Sequence, residues 1–71
     1  MPTDRFTRGY LAACQNLVVA HGLDGTAEDL LRESGMERRE LLRAQRESGY
    51  GSRRMCPIIR SATPDDTGSE P

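Results

Sequence analysis

The stretch that most constrains this chain is Gly25 to Ser48, GTAEDLLRESGMERRELLRAQRES, because a single glycine stands where two segments of helical periodicity meet. Thr26, with Asp29 three residues on, forms a near capping box, and Leu30 and Leu31 supply the buried stripe of a helix that Gly35 ends in the left-handed region. A second helix restarts near Glu37 and carries Leu41, Leu42 and Ala44 inward. Opposite them a helical wheel collects Arg39, Arg43 and Arg46, with Arg38 at the margin. The rest of the chain packs on this pair or trails from it. On this reading Leu30→Ala leaves a core cavity and costs about 2–5 kcal/mol.

Upstream, Asp4 caps a first helix running to about His21. Phe6, Tyr10, Cys14, Leu17, Val18 and His21 recur at spacings of three and four and so share its inward face. Gly22 closes it. The other side carries Gly9, Ala12, Ala13, Val19 and Ala20, with Asn16 its polar residue and Gln15 at its margin. Small residues permit close helix approach, so Gly9, Ala12, Gln15, Asn16 and Val19 make a candidate surface for a homodimer; the plainer reading is an alanine-rich helix facing water. His21, the only histidine, suits capping or packing at the helix end.

Downstream, GYGSRR breaks the helical pattern while Arg53 and Arg54 raise the local positive charge. Tyr50, flanked by glycines and followed by two arginines, reads either as a contact residue or as a lid on the core. Met55, Ile58 and Ile59 are the last apolar cluster, and Pro57 suits the first turn of a short helix from Pro57 to Ala62. The fold expected is therefore all-α: a small helical bundle of three main helices plus a short C-terminal helix over residues 1–62. The acidic remainder, 63–71, is expected to be disordered.

Composition enters through what it excludes. Seventy-one residues with three aromatics give one domain with a thin core, and domains of this size bury only about 60% of their unfolded surface. A second subunit or a target surface is expected to complete it. The formal charge of −1 hides an asymmetry: all ten arginines lie before Ser61, and three of the eleven acidic residues lie after it. There is no lysine, a usage that a GC-rich genome produces by itself. No apolar run suggests a membrane span or a leader, so the expected location is the cytoplasm, with Cys14 and Cys56 as free thiols and a disulfide between them as the lesser alternative. No spacing suggests a metal site or a cofactor, and no serine or cysteine stands beside a second base in a recognisable motif. An enzyme would need Cys14, His21 and Asp24 assembled across an oligomer.

The segment RGYLAACQNLVVAHG followed by AEDLLRESG resembles a group of small accessory proteins of tailed bacteriophages infecting GC-rich hosts. The positions that carry the resemblance are Gly9, Tyr10, Leu11, Ala13, Cys14, Asn16, Leu17, His21, Ala27, Asp29, Leu30, Leu31 and Gly35. It covers about half of the chain and implies a host-modifying gene product in the cytoplasm of a bacterial host. The expected function is then to bind a host protein and inhibit or redirect it, for example a CRISPR effector or a regulator. The binding residues, read from the charge pattern because the resemblance does not reach past the third helix, would be Arg38, Arg39, Arg43, Arg46, Tyr50, Arg53 and Arg54. The alternative is a helix-turn-helix DNA-binding regulator, with Gly35 at the turn and Glu37, Arg38 and Arg39 facing the groove. Against it stand Leu31, where a small residue is usual, and the acids Glu33, Glu37, Glu40 and Glu47, which repel phosphate.

Overall fold

The computed structural model describes residues 4–64, which form four helices: α1 (Arg5–Val19), α2 (Asp24–Ser34), α3 (Arg38–Ser48) and α4 (Ser52–Ala62). No strand occurs among the described residues. Packing neighbours run α1, α2, α4, α3 and back to α1, with α1 and α4 also touching across the middle. The core they share is Leu11, Cys14, Val18, Ala27, Leu31, Leu41, Ala44, Met55, Ile58, Ile59 and Ala62.

The start of α1 is the one expected. Asp4, extended at φ −70° and ψ 166°, accepts the Thr7 N–H on its carboxylate at 2.7 Å and so satisfies a donor that the first helical turn leaves orphaned. That bond favours the charged carboxylate and holds the Asp4 pKa below its usual value. A lowered folded-state pKa means that the cap stabilises above the ordinary aspartate range and is lost as pH falls through the lowered value. Asp4→Ala is therefore expected to lower the melting temperature at pH 7. The gap to wild type should close as pH falls through the lowered Asp4 value, where the cap carboxylate is protonated.

The inward face of α1 is rotated from the expected one. Thr7, Leu11, Cys14, Gln15 and Val18 are buried, Tyr10 and Leu17 are half-buried, and Phe6 is 71% exposed. The sequence carries two overlapping stripes at helical spacing, and three neighbouring helices select the one centred on Leu11 and Val18. Tyr10 marks the flank toward α2: its hydroxyl donates to the Leu30 carbonyl at 2.6 Å, and burial raises its pKa. The helix ends two residues before His21, which is exposed in the following turn. Gly22, at φ 67°, brings its own N–H to the Val18 carbonyl and that of Leu23 to the Leu17 carbonyl.

Helix α2 begins at Asp24 rather than at Thr26, so the expected capping box does not form; Leu23 occupies the cap without a side-chain bond, and Asp24 faces the positive helix end. Gly35 ends the helix in the left-handed region as expected, at φ 73°. Leu31 is fully buried but Leu30 only partly. In α3, Leu41 and Ala44 point inward as read from the sequence, Leu42 sits at the edge, and Gln45 is an unexpected core residue.

The largest correction concerns the fourth helix. It is not a short element after Pro57 but eleven residues long, the same as α2 and α3. The expected irregular segment shrinks to a turn at Gly49 to Gly51, with Ser52, Arg53 and Arg54 already helical. Pro57 lies inside α4, where an interior proline costs about 3 kcal/mol and takes the usual donor from the Arg53 carbonyl. Burial of Met55, Ile58 and Ile59 at about 1.5–3 kcal/mol each outweighs that cost. The packed unit also extends one residue past the expected boundary: Thr63 is buried, its hydroxyl donating to the Ile59 carbonyl at 2.7 Å. The rest of the expected acidic tail, 65–71, lies outside the described residues.

Candidate functional site

Charge is sorted between the two halves of the bundle. α3 and α4 carry seven arginines and two glutamates, whereas α1 and α2 carry three arginines and four acidic residues. It is sorted again within α3. Arg39, Leu42, Arg43 and Arg46, at spacings of three and four, form a row on the outer flank toward α4; Glu40 and Glu47, seven apart, occupy the flank toward α1. Glu47 accordingly lines the cleft between α1 and α3 with Arg8 and Ala12. Glu40 and Glu47 lie three and four residues from Arg43, so they border the arginine row on its α1 side.

α4 supplies the matching side. Ser52, Cys56 and Arg60, four apart, face α3 and with Leu42, Gln45 and Arg46 enclose a groove of about 290 Å³. Its floor is partly apolar, from half-buried Leu42 and Cys56, and Arg46 and Arg60 flank it. The other flank of α4 is used up on α2, where Arg54 pairs with Asp24 at 3.1 Å and the Ser61 hydroxyl donates to Glu28 at 3.1 Å.

The seven arginine-side residues read from the sequence therefore separate by role. Arg38 is a capping residue: its Nε donates to Thr63 Oγ1 at 3.1 Å, and one terminal nitrogen donates to the carbonyls of Arg60 at 2.6 Å and Thr63 at 3.1 Å. These are the free carbonyls at the negative end of α4, where a cation is favoured. Arg54 is a strut to α2. Arg39, Arg43, Arg46 and Arg53 remain exposed; Arg39 reaches Glu37 at 3.3 Å, an exposed pair of small energetic weight. Tyr50 is 47% exposed, so its ring is not the lid; its backbone is, its carbonyl accepting from Gln45 Nε2 at 2.8 Å. Arg60, Leu42 and Cys56 belong to this face and were not singled out, because nothing in the sequence places α4 beside α3.

The glutamine pair was also missed. Gln15 Nε2 donates to Gln45 Oε1 at 2.8 Å, and Gln45 Nε2 donates to Tyr50 O and to Ser52 Oγ at 3.0 Å. A buried amide is tolerable only when its polar atoms find partners, and these find them in three different elements. Gln15 is thereby removed from the self-association surface. Val19 leaves it too, half-buried against the turn at Gly51. Gly9, Ala12 and Asn16 are exposed as expected, but Ala12 borders the α1–α3 cleft while Gly9 and Asn16 lie on the outer face near Phe6.

Cys14 is sealed in the core, where burial pushes its thiol pKa up, while His21 and Asp24 are exposed in the α1–α2 region. The chain does not bring the three together as a nucleophile with an accessible base. Helices α2 and α3 diverge from the Gly35 turn without touching. A helix-turn-helix has its second helix braced by the first, and here α3 is braced by α1 and α4 instead. Among the described residues no cluster of His, Cys, Asp and Glu is able to hold a metal ion, and no helix is long and apolar enough to cross a membrane. In comparison with known proteins, no family model, no curated protein and no solved structure matches this chain.

Proposed function

We propose that this chain is a small binding protein without catalytic activity, which uses the arginine face of α3 and α4 to occupy an acidic surface of a bacterial host protein and so inhibits or redirects it. The observation that carries the reading is the sorting of charge. Exposed Arg39, Arg43, Arg46, Arg53 and Arg60 outnumber the acids on this side, where Glu40 and Glu47 border the row on the edge toward α1. Such a face steers an anionic partner and rejects a cationic one.

The groove beside Arg46 favours protein over nucleic acid as that partner. Leu42 and Cys56 offer apolar contact, which a phosphate backbone does not use and which supplies most of the affinity in protein interfaces. Half-exposed Tyr50 stands at the α3–α4 turn as an aromatic anchor. The phage-like segment of α1 and α2 supports a host-modifying role in the bacterial cytoplasm. Self-association, as part of the same proposal, would use the outer strip of α1 from Phe6 through Gly9 and Asn16.

The test is capture from nuclease-treated host lysate by the wild type and by the Arg39→Glu, Arg43→Glu variant. Both side chains are exposed, so the variant should melt within a few degrees of wild type. A host protein retained by the wild type and lost by the variant supports the reading. Equal capture by both moves the interface elsewhere, and nucleic acid recovered without nuclease and lost in the variant puts DNA binding first.

A further inference from the structure

We propose that the groove between α3 and α4 seats an extended acidic segment of the partner, with one apolar side chain held between two carboxylates, an inference that rests on α3 and α4 being the binding face. The first support is the order of the lining. The two helices run antiparallel, the start of α3 meeting the end of α4 where Arg38 donates to the Arg60 and Thr63 carbonyls. Arg46 therefore stands at the turn end of the groove and Arg60 at the far end. Leu42, one turn before Arg46, and Cys56, one turn before Arg60, are half-buried and lie between them. Along its length the groove presents cation, apolar floor and cation.

Charge supports the same occupant. None of the described residues lining the groove is acidic, and no acid stands three or four residues from Arg46 or from Arg60. Nearby acids are engaged elsewhere: Glu37 with Arg39, Asp24 with Arg54, and Glu47 along the cleft toward α1. The start of α4 has neither a side-chain cap nor an acid in its first turn, so its positive helix end adds to Arg46 beside Ser52. Size selects the shape. A groove of about 290 Å³ over two half-buried side chains accepts one apolar anchor. A helix laid in a groove needs a stripe of anchors at i, i+3 or i+4, and i+7. α4 rises about 12 Å from Ser52 to Arg60, and residues i to i+4 of an extended chain, with i, i+2 and i+4 on one face, span about 13 Å. The segment that fits is acid, any residue, apolar, any residue, acid.

The experiment measures fluorescence anisotropy of a fluorescein-labelled Glu-Ser-Leu-Ser-Glu peptide against the full chain. Saturable binding is expected. Arg46→Gln with Arg60→Gln, both exposed side chains, should weaken it about tenfold without unfolding the chain. Serine in place of the peptide's leucine should weaken it about fivefold, and Arg39→Gln, outside the groove, should stay within about twofold. The bound peptide covers Cys56, so saturating peptide should slow iodoacetamide alkylation of that thiol several-fold, while buried Cys14 stays unreactive. No saturable binding up to about 1 mM peptide overturns the proposal. So does equal affinity for the leucine-free peptide, or unchanged alkylation of Cys56. A host protein captured by the wild type and lost by the Arg39→Glu, Arg43→Glu variant, with no peptide binding, leaves the binding-protein reading standing and removes the groove. Peptide bound in the groove with no host protein captured upholds the groove while that reading falls.

Discussion

Leu31→Ala is expected to destabilise the fold by about 2–5 kcal/mol, as a fully buried leucine truncated to alanine loses its transfer free energy and leaves a cavity. For a chain of this length the whole stability is on the order of 4–11 kcal/mol, so the loss removes a large part of it. Urea titration monitored by helical circular dichroism measures the change directly. Leu30→Ala should cost clearly less, because Leu30 packs against the core from its edge. The pair of variants reads out the rotation of α2: equal losses for the two leucines would mean that the helix presents a different face to α1 and α4.

Gly51→Ala is the second large effect, expected at about 2–5 kcal/mol from two causes that add. The first is conformational: Gly51 sits at φ 65°, a region that costs an L-residue about 1–2 kcal/mol. The second is steric, because a Cβ there would lie 2.6 Å from Val19 Cγ2. Valine in a helix has essentially one rotamer, so it yields poorly, and overpacking of this kind costs about 1–3 kcal/mol. Gly49 provides the control. It is left-handed at φ 73°, and a methyl group added there would meet nothing within 4 Å, so Gly49→Ala carries the conformational cost alone. Adding Val19→Ala to Gly51→Ala should restore part of the steric loss. Equal melting temperatures for Gly49→Ala and Gly51→Ala would contradict the close approach of α1 to this turn.

Much of the local structure was legible in the sequence because its causes are local. Asp4 caps through the Thr7 N–H three residues away, and Gly22 and Gly35 end helices because only glycine takes the left-handed region without strain. The exposure of Arg39, Arg43 and Arg46 followed from their position opposite Leu41 and Ala44. Phe6 and Pro57 misled for the same kind of reason. A strong apolar residue and a strong helix breaker speak clearly about themselves, but α1 had an alternative stripe to bury and α4 had enough apolar area to keep its proline.

The candidate face divides along the same line. That α3 carries an arginine row was set by spacing alone. That the row continues onto Arg60, and that Arg38 and Arg54 are withdrawn from it as a cap and a strut, depends on which helices become neighbours. The sequence by itself determined the helices, most of their ends and the sorting of charge around α3, since these depend on residues within one or two turns of each other. Only the tertiary structure decided that α1 buries Leu11 instead of Phe6, that Gln15 and Gln45 meet thirty residues apart inside the core, and that α4 lies beside α3 to complete the face. Each of those outcomes is a competition between alternative burials, and it is resolved by the area and the hydrogen-bond partners that another helix offers.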